Sequence, residues 1–451
     1  MQKLRRLPLA VAAALLVSAT LAVSSSAAAP ESWGALQEAD GHGLAVALDG
    51  EQTALISVGG SDEATVYDQR RAGDGSVGAP VEVMTVAGAD HCRPVEAASA
   101  DGNLAVAVEC QRTTDLEDPP TRLVELVWTG DDGWAWRVQP EGELGSLDWS
   151  PGGQFALFTS NSQYGRPHHL TSYHPDLGWR DLTRRERGLT GDTMIAAVDD
   201  SGDAVALRGA GFEDKPGYWF GGRLRIETYD AARRTWTTRV TRRYPDGGVH
   251  PTGLDLDGGR IAATVVESRS TGRLDSRDSR VVVLSGRPGD PRVWAPRRWS
   301  RQVVTSSAAI TGQEVAVVAW QAVDRGRTAR PRVATWVPRR PQPRVRSLAG
   351  ATTLTDATVS GDTMDLAVSA GGRGVVAWVA HTRGARQSSV EVTSFQVGRD
   401  GHLRHPVAAT WSQPVGATVA VTSGDTSSAV TIGRVIAQFY PAPETRFAVI
   451  G

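Results

Sequence analysis

The chain is expected to fold as an all-β protein, a β-propeller of four-stranded blades. Three observations predict this. A glycine-centred hairpin signature occurs eight times, the copies follow one another at a regular spacing, and the stretches between them alternate as strands do, without helical periodicity. The clearest copy runs from Leu147 to Ser160: apolar positions end at Trp149, Ser150 to Gly153 supply turn chemistry, and Phe155 to Thr159 form a short apolar run. With Gly50, Gly102, Gly153, Gly202, Gly259, Gly312, Gly372 and Gly424 taken as equivalent, the spacings are 52, 51, 49, 57, 53, 60 and 52. That period suits one propeller blade, for which ~40 to ~50 residues is usual, and is too long for an ankyrin or tetratricopeptide unit.

The first 28 residues read as a signal peptide. Lys3, Arg5 and Arg6 make a basic start, Leu7 to Val23 is an apolar run, and Ser26-Ala27-Ala28 offers the small residues a signal peptidase needs. The remainder, residues 29–451, is read as a single propeller domain of a secreted, extracellular protein. No later apolar run is long enough to span a bilayer, so no membrane span is expected after cleavage.

Each repeat continues beyond its hairpin. In the second, Arg122 to Trp128 gives a third strand, Thr129 to Gly133 a turn and Trp134 to Val138 a fourth strand. In the third repeat the same parts are His169 to Tyr173, Asp176 to Gly178, and Trp179 to Leu182. The last repeat offers Ser428 to Ile432, Ile436 to Tyr440 and Arg446 to Ile450 after its turn, and Trp33 to Leu36 is expected to close the ring as its outer strand. Eight blades follow from the hairpin count, with seven blades and a decorated terminus as the alternative. Cys92 and Cys110 fall opposite each other across the hairpin centred on Gly102, which predicts a disulfide in an exported chain.

The hairpin at Ser150-Pro151-Gly152-Gly153, followed by the apolar Phe155-Ala156-Leu157, resembles the WD40-like repeat of secreted bacterial TolB-type propellers. Gly152 stands where that family has aspartate, and Ser99 to Val106 and Ser369 to Trp378 match more loosely. The resemblance implies a propeller of such blades and carries over no partner and no site residue. The aspartate-box of sialidase-like propellers has no copy in the chain.

Charge is unevenly spread although the net charge is only −2. Glu31 to Asp148 holds 23 acidic and 6 basic residues, whereas Arg287 to Arg346 holds 13 arginines. The balanced total gives no general attraction to nucleic acid, while the asymmetry allows a salt-sensitive self-association of acidic against basic blades. No cofactor and no metal are expected. The aspartates at 199, 200, 203, 255 and 257 sit at turns, where aspartate is common for backbone reasons.

Propeller geometry sorts the loops onto two faces. The short hairpin turns lie on one, and on the other lie the longer segments Gln111 to Thr121, Ser160 to Pro167, Gly209 to Gly222, Glu267 to Ser279 and Gln321 to Arg330, read here as loops. Binding usually sits on long loops of a rigid scaffold. The candidate ligand-binding residues are Tyr164, Arg166, His169, Asp214, Tyr218 and Trp219, because aromatic and charged side chains together suit a glycan or peptide surface. His168 and His169 also read as the beginning of the third strand of their repeat. The expected function is a non-catalytic propeller that binds a protein or glycan at the cell surface. The alternative is a secreted glycosidase or polysaccharide lyase acting at the same face, which would require carboxylates ~5 to 10 Å apart at the axial mouth. No nucleophile elbow marks a serine hydrolase.

Overall fold

Strand alternation decides the architecture, because each strand presents successive side chains to opposite faces of its sheet. The computed structural model describes residues 32–450 apart from short stretches, chiefly 49–51, 112–120, 162–167, 184–192, 271–276, 324–327, 354–363, 381–386 and 435–443. Its described residues contain strands and turns and no α-helix. They form eight antiparallel sheets whose innermost strands are His42–Ala47, His91–Ala100, Glu143–Trp149, Thr193–Val198, Val249–Asp257, Gln302–Ile310, Met364–Val368 and Ala417–Ser423. Seven blades take their strands in chain order, and the sixth adds a two-residue fifth strand, Thr352–Thr353.

Both faces of a blade are apolar, and each packs on a neighbour. In the second blade Leu104, Val106 and Val108 join the cluster shared with blade one, while Ala105 and Ala107 join the cluster shared with blade three. In the sixth blade Val315, Val317 and Ala319 face blade seven, and Ala316, Val318 and Trp320 face blade five. The eight hydrophobic clusters of the described residues each straddle one pair of adjacent blades, the last joining blade eight to blade one. The core is therefore a closed ring of eight interfaces, and eight blades is the observed number.

Closure uses the N-terminal segment. Gln37–Asp40 pairs antiparallel with Glu444–Ile450 as the outermost strand of blade eight, from Gln37 opposite Phe447 to Asp40 opposite Glu444. The sequence placed this strand at Trp33 to Leu36, four residues earlier. Those apolar side chains pack instead: Trp33 meets Trp411 edge-on at 6.0 Å and donates its indole N–H to the Val407 carbonyl at 3.2 Å. The expected strand Ile436 to Tyr440 lies outside the described residues. So does the whole leader, residues 1–28.

The Cys92–Cys110 disulfide is present, between directly paired residues of the first two strands of blade two. Both cysteines are buried in the interface with blade one.

Three of the segments read as long loops are largely strand. Blade four runs Ala204–Lys215 into Tyr218–Asp230, blade five runs Arg260–Ser270 into Arg277–Arg287, and blade six runs Ala316–Val323 into Thr328–Trp336. In blade five the reason is visible: Glu267 sits opposite Arg280 and Arg269 opposite Asp278, with ion pairs of 2.8 and 3.0 Å. Cross-strand pairs of opposite charge prolong a ladder without any apolar pattern. Trp299 is stacked by both guanidinium groups, at 4.3 Å from Arg269 and 4.4 Å from Arg280, and ties the chain leading to blade six onto this hairpin.

Candidate ligand cleft between blades three and four

Blades three and four begin alike and end differently. Blade three has strands Glu143–Trp149, Ala156–Asn161, His169–His174 and Gly178–Asp181, whereas the second, third and fourth strands of blade four are 12, 13 and 10 residues long. On the loop side, blade four therefore stands out past the end of blade three. Near the turns their shared interface is apolar, built from Leu157, Leu170, Val198, Ala204 and Ala206. Towards the loops it becomes a cleft of about 300 Å³, measured out to its open mouth and lined by His168, Leu170, Met194, Ala206, Arg208, Glu227 and Trp236. Its enclosed part has room for about one water molecule.

The wall from blade four follows from its pattern. In Arg223-Leu224-Arg225-Ile226-Glu227, Leu224 and Ile226 turn into the core shared with blade five, so Arg223, Arg225 and Glu227 point towards blade three. Register then stacks charges in rungs: Arg208 opposite Arg225, and Arg223 opposite Arg243. Glu227 is 3% exposed and accepts a hydrogen bond from Thr238 Oγ1 at 3.2 Å. Arg208 is 8% exposed. Arg208, Arg223, Arg225 and Glu227 each already take part in a polar or electrostatic interaction, so their side chains are held in place. Trp236 donates its indole N–H to the Leu182 carbonyl of blade three at 2.9 Å, which fixes its ring in the wall.

The opposite wall contributes His168, only 5% exposed, with no hydrogen-bond partner at either ring nitrogen. Burial first, then the Arg208 charge and His169, push its pKa down to about 4, so the ring is neutral at physiological pH. A buried imidazole with two unmet nitrogens is costly, and in a cleft of this size a water or ligand hydroxyl is what meets them.

The sequence-derived candidates fall partly here. His169 opens the third strand of blade three, half-buried, and by alternation its side chain lies on the blade-two side with Thr171, away from the cleft. Asp214, Tyr218 and Trp219 belong to the extended hairpin of blade four, where Trp219 pairs with Glu213 and Tyr218 with Lys215. Their side chains, and Tyr164 and Arg166 altogether, lie outside the described residues. Sequence reasoning missed Arg208, Arg225 and Glu227. The available signal was the alternation of charged Arg223, Arg225 and Glu227 with apolar Leu224 and Ile226 in a third strand, a position covered by a neighbouring blade.

The axial carboxylates have another duty. The innermost strands turn an unpaired edge towards the axis, and in several of them side chains of the preceding blade cap its N–H groups. Asp148 accepts from Val198 N–H at 2.9 Å, Asp255 from Ile310 N–H at 2.7 Å, and Asp365 from Val421 N–H at 2.9 Å. Burial pushes Asp148 well above the usual carboxylate range, with Asp255 and Glu96 adding like charge, and burial raises Asp255 to about 6. Among the described residues no group of three or more His, Cys, Asp or Glu side chains is arranged to hold a metal ion.

No protein-family model matches the chain, and no curated protein matches it in sequence. Among solved structures it is similar to the Dos1 propeller, at 10% identity over 93% of this chain and 94% of that one, with a TM-score of 0.48. It is also similar to prolyl oligopeptidase B from Galerina marginata, at 10% identity and TM-score 0.45, with 88% of this chain and 55% of that one covered. The chain thus spans about half the length of that peptidase. A third likeness is to the β-propeller domain of the Trilobed protease from Pyrococcus furiosus, at 9% identity and TM-score 0.39, over 83% of this chain and 96% of that one. At these identities and TM-scores none of the three brings a function to this chain.

Proposed function

We propose that the protein is a secreted, non-catalytic propeller of TolB-like repeats that binds a protein or glycan at the cell surface through the loop face over blades three and four. The observation that carries this reading is the cleft there, where a buried histidine with unmet nitrogens faces a wall bearing arginine, glutamate and tryptophan side chains. Guanidinium and carboxylate groups fix orientation, and a ring gives a flat apolar contact. The hairpin carrying Tyr218 and Trp219 rises from the same blade, on the same side.

The glycosidase or lyase alternative draws on the mutual electrostatic influence of Asp148 and Asp255. Their carboxylates are bound to main-chain N–H groups of the next blade, a bracing role rather than a proton-transferring one. A screen of the purified full chain against extracellular glycans and surface proteins tests the binding reading. Replacing Tyr218 and Trp219 together with alanine should abolish binding of the ligand found and leave the melting temperature nearly unchanged. Turnover of a glycan by wild type, abolished in Asp255→Asn, would overturn the non-catalytic assignment.

A further inference from the structure

The face of blade four that walls the cleft carries more arginines than carboxylates among its described side chains, the cleft itself holds more hydroxyl-seeking groups than an anion alone needs, and we propose that the ligand is an acidic glycan, bound through a sugar carboxylate. This rests on the reading of the loop face as a binding surface and names the chemistry that the face selects.

Among the described side chains, four arginines, Arg208, Arg223, Arg225 and Arg243, share one side of blade four with one carboxylate, Glu227. They form two rungs one above the other, running from the buried Arg208 to the exposed Arg243. Because the third and fourth strands of blade three are short, no strand of blade three among the described residues lies opposite the outer rung. Guanidinium groups take a carboxylate in a two-pronged fashion, and side chains already held in orientation lose little entropy in doing so. Deeper in the cleft the chemistry changes. Glu227 only accepts hydrogen bonds, and neutral His168 offers one donor and one acceptor nitrogen with no partner for either. That combination suits a ligand dense in hydroxyl groups. Trp236 supplies the wall against which a sugar ring lies flat.

An acidic peptide fits less well. Extended peptides dock by pairing their main chain to a free strand edge, and the cleft is walled by the side-chain faces of two sheets. A peptide would also leave Glu227 and His168 with few hydroxyl partners.

The test uses the full chain and three probes: an oligogalacturonate, its fully methyl-esterified counterpart, and poly-glutamate, each followed by calorimetry. The oligogalacturonate should bind, with affinity falling as salt rises; esterification or Arg225→Gln should each weaken it at least about tenfold, and Arg243→Gln should flatten the salt dependence. Both variants sit at half-buried or exposed positions and should melt as wild type does. The His168 ring resonances should move on addition of the sugar, a readout that loss of surface charge would not mimic. Equal binding of the esterified probe would overturn the carboxylate assignment while leaving the loop face a binding surface. Equal binding of poly-glutamate would overturn the glycan assignment. Binding that leaves the His168 resonances unmoved, or that is unchanged in Arg225→Gln, would place the site elsewhere. If the oligogalacturonate fails while another ligand is lost in the Tyr218 and Trp219 double variant, the acidic glycan is wrong and the binding face stands.

Discussion

The two faces of the disk hold ionisable groups in opposite ways. Towards the turns, carboxylates are drawn in and used as braces: Asp148 and Asp255 cap the edge of the next blade, Asp200 accepts from Gly152 N–H at 2.7 Å, and Asp425 accepts from Gly371 N–H at 2.9 Å. Each of these reaches from one blade to its neighbour, so the repeat is stitched where the turns are short. Towards the loops, blades differ in length, a disulfide closes blade two, and a neutral histidine is buried with its nitrogens unmet. The turn half shows what a propeller must keep in order to close. The loop half shows where a blade has room to carry chemistry.

The largest effect expected from breaking this contrast is at the disulfide. Cys92 and Cys110 are 18 residues apart, so their bond is worth about 3 kcal/mol in the chain-entropy model. Replacing both with serine should lower unfolding free energy by about that amount in denaturant titrations, and an unchanged midpoint would show that the buried pair is held by blade one alone.

A turn-half counterpart is Gly202. It has φ +79°, and a Cβ there would sit 2.9 Å from the Phe155 ring of the preceding blade. Gly202→Ala should cost about 2 kcal/mol, from left-handed backbone strain together with displacement of that ring. Stability equal to wild type would mean that the turns move independently.

Acid should separate the halves by sign, with about 1 to 2 kcal/mol from each shifted group between pH 7 and pH 5. Burial raises Asp255 from 3.8 to about 6, so the folded chain holds that proton more tightly than the unfolded one. Its contribution is complete below pH 3.8 and is lost as pH rises through about 6. Glu125, buried in the middle of blade two, is raised from 4.5 to about 7 and acts in the same direction. His168 runs the other way: lowered from 6.5 to about 4, it contributes fully above 6.5 and loses that contribution as pH falls through about 4. Asp255→Asn should therefore make the chain more acid-labile relative to wild type, and His168→Leu less so. Parallel pH profiles for wild type and both variants would refute the opposed titrations.

Much of the fold was legible in the sequence. Turn glycines such as Gly102 and Gly153 have positive φ and mark the first hairpin of their blades through local backbone need, and the pairing of Cys92 with Cys110 follows from counting residues out from one such turn. The cleft was legible only as a neighbourhood. His169 drew attention as a loop residue, yet it is His168, one position earlier, that faces blade four, because alternation assigns neighbouring side chains to opposite interfaces and the start of a strand fixes which is which.

By itself the sequence determined the repeat, the four-stranded blade and the disulfide, since each depends on spacing along one hairpin or between successive hairpins, while the closed ring of interfaces decided eight blades over seven. Tertiary structure decided how far each blade extends and which blade faces it. Arg208 and Arg225 lie 17 residues apart and become one rung through strand register, and His168 joins them from another blade. The extended hairpins of blades four and five carry no apolar alternation to announce them, because cross-strand pairing and a neighbouring sheet, rather than burial of a stripe, hold them in place.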